Sequence, residues 1–305
     1  MAKRTFDPGL TTQYTGQLRR AINKDGSYNV NRRGTRWRDI HPYLHLISMG
    51  WPSFLVLVFV AYLAANTIFA ALYFSLGPGH LAGGDAPDKF DRFLNAFFFS
   101  AHTLTTVGYG NISPSAISSN ILAVIEALIG LLGFALATGI LFGRFSRPSA
   151  RIGYSERALI APYEERTSLQ FRIVNRRPNA LMEMEATVIL MTVNGESGNL
   201  KREFQRLPLE RDSVNMLPLT WTIVHPIDEA SPFFGKAAED LTRLQAEVII
   251  MIKGFDETFG QSVHSRYSYR YDEIEWNAKF TPSFDFDENG DMVLNIDKVG
   301  SHKHL

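Results

Sequence analysis

Apolar residues in this chain collect into two long runs, and polar and alternating patterns occupy the rest. From Trp51 to Leu76 (WPSFLVLVFVAYLAANTIFAALYFSL) no charged residue occurs. A helix rising ~1.5 Å per residue covers a ~30 Å hydrocarbon core within that length. The second run, residues 116–145 (AISSNILAVIEALIGLLGFALATGILFGRF), holds Glu126 as the one acidic residue of its interior and glycines at 130, 133, 139 and 143. Small residues at that density permit close helix packing or bending. Both runs are expected to be transmembrane helices. A carboxyl group at the depth of Glu126 is costly without a partner, so a structural or filter-adjacent role is expected for it.

After residue 148 the pattern changes to short runs of alternating, β-branched and aromatic residues. Strands are expected at 169–174, 181–193, 221–224, 246–255, 265–271, 274–280 and 292–296, with turn signals at Asn194-Gly195 and Asn289-Gly290. Residues 148–305 are therefore expected to form an all-β sandwich. Just before the first span, residues 37–48 (WRDIHPYLHLIS) combine a charged start with aromatic and apolar positions, which predicts a short amphipathic helix in the membrane interface. Pro42 is expected to interrupt it after its first turn.

Between the spans lies a helical segment, residues 92–104 (RFLNAFFFSAHTL), too short to cross a bilayer, followed by Thr106-Val107-Gly108-Tyr109-Gly110. Such a segment must re-enter the membrane. Non-helical backbone at membrane depth persists only where protein shields it or where it lines an aqueous cavity. Glycines at 108 and 110 can adopt backbone angles closed to other residues, which lets successive carbonyls point the same way.

Charge sets the expected orientation. Residues 1–50 hold nine Lys/Arg against three Asp, and Arg144, Arg147 and Arg151 follow the second span. Between the spans only Lys89 and Arg92 occur, beside Asp85, Asp88 and Asp91. The positive-inside rule puts both termini in the cytoplasm of a multi-pass cell (inner) membrane protein. The first residues contain no apolar core of signal-peptide length, so the first span is expected to direct insertion. A net charge of zero argues against a nucleic-acid partner held by bulk charge, and the absence of cysteine excludes disulfides and thiolate metal sites. Neither nucleotide-binding nor hydrolytic motifs occur, so the chain is not expected to be an enzyme or to need a cofactor.

Thr106–Gly110 spell TVGYG, the filter sequence of potassium channels, in which carbonyl rings and the Thr106 hydroxyl replace the hydration shell of K+. The flanking sequence resembles the inward-rectifier potassium channels, particularly their bacterial branch, from about residue 18 to residue 285. The resemblance is carried by Arg20–Val30, Trp37-Arg38-Asp39, Ser48–Pro52, Phe97–Ser100, Arg147-Pro148, His225–Pro232 and Asp272–Trp276. It implies a voltage-independent, homotetrameric K+ channel with an immunoglobulin-like cytoplasmic sandwich. The implied organisation is an N-terminal segment with one strand (1–36), a slide helix (37–48), a pore domain (49–147) and the sandwich (148–305). The resemblance maps a bundle-crossing gate onto Phe142, a cavity position onto Phe134 and an apical loop onto 261–269. His102 stands where the family commonly has an acidic or amide residue, and a filter-supporting role is expected for it. Arg144, Arg147 and Arg151 are expected to bind anionic phospholipid. Two rivals remain at this level. One is a two-span potassium channel gated by another cytoplasmic ligand, and the other is a membrane-tethered binding or signalling domain.

Overall fold

The computed structural model describes residues 9–10, 12–14, 20–31, 33–34, 41–147, 150–195 and 200–305. The chain divides into two compact units, residues 33–147 and residues 148–305 with 1–32.

The first unit is helical. It comprises α1 (Pro42–Ser48), α2 (Trp51–Leu76), α3 (Lys89–Leu104) and α4 (Ile117–Phe145). α2 spans the residues expected from apolarity alone, and α4 begins one residue after Ala116, its extended N-cap. The amphipathic helix differs from expectation. It begins at Pro42, with His41 extended before it, and the Trp37-Arg38-Asp39 motif lies outside the described residues. Proline suits the first helical position, where its missing N–H would have had no partner, so Pro42 starts the helix instead of breaking it. α3 starts three residues earlier than expected because the Asp88 carboxylate accepts from the Phe90 and Asp91 amides.

α2 and α4 leave Val56, Phe59, Val60, Val124, Leu131 and Leu136 exposed, so most of their apolar surface is uncovered by their own chain. That is the surface a membrane span presents to lipid or to neighbouring chains. α2 and α3 are joined by a buried cluster of Phe69, Ala70, Tyr73, Ala96 and Phe99. α4 meets the end of α3 at Gly130, where a Cβ would lie 2.1 Å from the Leu104 carbonyl oxygen. Only hydrogen fits there.

The second unit is a two-sheet sandwich. One sheet runs in the order Gln13–Tyr14, Leu200–Leu207, Leu181–Asn194, Glu247–Asp256, Gln261–Arg270, with Ser213–Met216 also on Leu181–Asn194. The other runs Thr220–Ile227, Arg166–Asn175, Ala158–Tyr163, Ile274–Trp276, with Ile152–Tyr154 on Arg166–Asn175. Alternate residues of both sheets, among them Leu169, Phe171, Ile173, Ile223, Val188, Leu190, Val248 and Ile250, fill one core. The expected apical loop at 261–269 is instead the second arm of a hairpin whose turn is at 257–260, since Val263, Tyr267 and Tyr269 pack inward.

Arg20–Val30, which resembles the family's strand before the interfacial helix, forms instead a turn closed by an Ile22–Tyr28 bridge, and among the described residues the N-terminal strand lies at Gln13–Tyr14. This segment docks on the sandwich through the buried Glu247, which accepts from the Ala21 amide at 2.9 Å, and through an Arg20–Glu273 ion pair. His225 is buried in its strand with Nδ1 2.6 Å from the Pro208 carbonyl and Nε2 2.8 Å from the Ser231 hydroxyl. A carbonyl can only accept, so Nδ1 carries the proton and Nε2 accepts from Ser231. Burial pushes its pKa down, against smaller opposing effects of the Pro208 carbonyl and Asp228.

Candidate functional site

α3 ends at Leu104, and the chain then alternates in hand. Thr106 (φ 61°), Gly108 (φ 55°) and Gly110 (φ 82°) are left-handed, whereas Val107 and Tyr109 between them are not. An ordinary strand turns successive carbonyls to opposite sides. Changing hand at every second residue cancels that reversal, which brings successive carbonyls toward one side. Thr106 is strained in this conformation by roughly 1–3 kcal/mol, which surrounding contacts must offset.

Those contacts come from the last turn of α3. Thr106 N–H donates to the Thr103 carbonyl at 3.0 Å, and the Val107 and Gly108 amides share the His102 carbonyl at 2.9 and 3.2 Å. The His102 ring meets the Tyr109 ring edge to face, with centroids 4.8 Å apart. His102 therefore touches residues 106–110 twice, at Val107 and Gly108 by its carbonyl and at Tyr109 by its ring. The far side is tied down as well. Leu81–Ala82 pairs with Ser113–Pro114, and Ser115 and Ser119 donate to the Gly79 and His80 carbonyls at 2.6 and 2.7 Å.

Behind this segment Glu126 is fully buried and joins three helices. Its carboxyl accepts from Tyr73 Oη of α2 at 2.7 Å and from Ser100 Oγ of α3 at 2.5 Å, and Ser100 Oγ also lies 3.1 Å from Asn66 Oδ1 of α2. Asn66 in turn donates to the Tyr62 carbonyl at 2.8 Å. Sequence reasoning singled out Glu126 but missed Tyr73, Ser100 and Asn66. An amide inside an otherwise apolar span was the available signal for Asn66.

Further along α4, Phe134 and Phe142 are 74% and 73% exposed, so nothing in their own chain covers them. Arg144 points back to α1, where its guanidinium donates to the Leu46 and Met49 carbonyls and lies 4.6 and 4.5 Å from the ring centres of Trp51 and Phe54. The end of α1 leaves carbonyls without helical partners, and Arg144 supplies the donors. Arg147 and Arg151 are exposed, and Pro148 lies outside the described residues.

Two helices long and apolar enough to cross a membrane, with a short third helix and a hand-alternating segment between them in the chain and a β-sandwich after them, form the arrangement of an ion channel of the two-span class. A family described as "Ion channel" matches residues 53–147, and one described as "Inward rectifier potassium channel C-terminal domain" matches residues 152–304. Among curated relatives, the chain is 35% identical to the inward rectifier potassium channel Kirbac3.1 of Paramagnetospirillum magnetotacticum, over 92% of this chain and 94% of that one. It is 27% identical to the human G protein-activated inward rectifier potassium channel 3, over 86% and 72% of the two chains. With the inward rectifier potassium channel 4 of Rattus norvegicus the identity is 25%, over 86% and 68%. The chain belongs to the inward rectifier potassium channel family, and it is an ion channel and not an enzyme.

Proposed function

We propose that four copies of this chain form a K+-selective pore in the cell (inner) membrane, with Thr106, Val107, Gly108, Tyr109 and Gly110 as its filter and K+ as the permeant ion. The hand alternation at Thr106, Gly108 and Gly110, anchored on the His102 carbonyl, is the observation that carries this reading. One chain supplies a single column of oxygens, which cannot surround an ion. Four columns about an axis can replace its water, and cyclic symmetry closes the ring. The exposure of Val107 and Tyr109 in the isolated chain suits side chains that pack against neighbouring copies. α3 leads into the filter by its C-terminal end, whose partial negative charge favours a cation at the inner mouth.

Both termini and the sandwich lie in the cytoplasm in this reading, as the basic flanks of the spans favour. Phe142 forms the gate, since a ring of four such side chains closes a pore by size and by excluding water. Phe134 lines the cavity and carries no charge to attract a polyamine. Arg147 and Arg151 contact anionic phospholipid, each worth ~1 kcal/mol near such a surface. Arg144, bonded to the end of α1, transmits a shift of that interfacial helix to α4 and reaches lipid only by leaving those carbonyls.

The test is uptake of radioactive rubidium into liposomes of neutral and anionic phospholipid. Uptake that barium blocks and that greatly exceeds sodium uptake is expected. Equal entry of both ions would overturn the filter assignment. Neutralising Arg147 and Arg151 together should weaken the dependence on anionic lipid, and an unchanged dependence would remove the lipid assignment alone.

A further inference from the structure

We infer that the sandwich carries a divalent transition-metal site built from Glu275, His302 and His304, with zinc the cation its donors fit best. One ligand atom from each residue lies within 4.8 Å of the others. His302 Nε2 is 3.1 Å and His304 Nε2 is 2.9 Å from the two Glu275 carboxylate oxygens. Tetrahedral zinc with bonds of ~2.0–2.1 Å holds its ligand atoms roughly 3.3 Å apart, so small rotamer changes complete the geometry.

The local fold explains the convergence. His302 and His304 are two residues apart in strand His302–His304, so their side chains leave the same side. That strand pairs with Ala278–Phe280, and Asn277 at φ 53° turns the chain between it and the strand Ile274–Trp276 that bears Glu275. The Leu305 amide closes the corner on the Asn277 carbonyl at 2.9 Å.

Hydrogen bonding sharpens the argument. His302 Nδ1 lies 2.8 Å from the Gly300 carbonyl, which can only accept, so Nδ1 carries the ring proton. In the neutral ring Nε2 then aims a lone pair at a carboxylate oxygen. Two acceptors facing each other at that distance need a proton or a metal ion between them, and a carbonyl fixing the other ring nitrogen is the usual support of a metal-bound histidine. Two imidazoles and one carboxylate suit zinc and its neighbours, whereas calcium and magnesium take oxygen ligands. Arg157, half exposed and 3.4 Å from Glu275, competes for the same carboxylate, and its second donor, 3.3 Å from the Asp272 carbonyl, holds it beside the strand when it releases Glu275 to a metal. A bound metal would pin the His302–His304 strand to the sheet that contains Ile274–Trp276.

The full chain, purified in detergent without a histidine tag and stripped with a chelator, is titrated with zinc chloride. One more zinc per chain is expected than in His304→Ala, with a rise in thermal midpoint that magnesium does not give. His304 is largely exposed, so His304→Ala should unfold at the parent's temperature without metal. His304→Ala and Glu275→Gln, which keeps the carboxylate's shape, should each weaken zinc binding at least about tenfold. No zinc-dependent shift in the parent, or equal zinc binding by parent and both variants, would overturn the site. The readout does not depend on conduction, so it stands apart from the proposed pore.

Discussion

Adding one methyl group at Gly130 should displace residues 106–110, the proposed filter. The added carbon would lie 2.1 Å from the Leu104 oxygen, 2.9 Å from its carbonyl carbon and 3.1 Å from its Cα, all backbone atoms with no rotamer to relieve the clash. Ordinary contact begins near 3.4 Å, so α4 and the end of α3 must part by about 1.3 Å. Leu104 is two residues from Thr106 and two from His102, whose carbonyl anchors Val107 and Gly108, so the displacement reaches that segment directly. Overpacking of this kind costs roughly 1–3 kcal/mol. The assay pairs thermal unfolding in detergent with the ratio of rubidium to sodium uptake in liposomes, and Gly130→Ala should lower both. Gly133→Ala is the matched control, because a Cβ there meets nothing within 4 Å of its own chain. A Gly130→Ala channel with the parent's stability and selectivity would refute the claim that this contact positions the filter.

Glu126→Leu removes the acceptor of two hydroxyls, but Ser100 can turn to Asn66, so Tyr73 is the group left orphaned, at roughly 1–3 kcal/mol. Glu126→Gln keeps an acceptor oxygen and should lose less, and equal thermal stability of the two variants would contradict the network. Phe142→Ala should raise basal rubidium uptake, and unchanged uptake would count against the gate. Because burial lowers the pKa of His225 below its ordinary 6.5, the unfolded chain binds the extra proton first. Its contribution to stability is complete above about pH 6.5 and declines as pH falls below that value. Thermal unfolding between about pH 5 and pH 8 should show a slope that His225→Asn reduces, and an identical slope in the variant would refute the assignment.

Features written in local sequence were legible, and those made by contact between distant segments were not. α2 could be bounded to the residue because its apolar run carries no charge from Trp51 to Leu76. Leu181–Asn194 and Glu247–Asp256 were visible from their β-branched, apolar runs, since both are buried in the core. Leu200–Leu207 escaped because KREFQR is polar and only Leu207 of the strand is fully buried. Ile152–Tyr154 and His302–His304, three residues each, are too short to show a period. In the site, TVGYG marks itself and Glu126 stands out by its charge. Its partners come from two other helices, and no spacing rule joins Tyr73, Ser100 and Glu126. Arg144 shows the same limit. Its charge was plain from the sequence, but its direction depends on carbonyls at the end of α1 that only the folded chain brings near it.

In the proposed pore, main-chain oxygens of residues 106–110 from four chains line up around one axis and hold K+. Anomalous scattering from crystals of the full chain grown in rubidium tests it most directly. A row of rubidium peaks is expected on a four-fold axis between Thr106 and Gly110. Peaks absent from that axis, or an assembly lacking the axis, would contradict it.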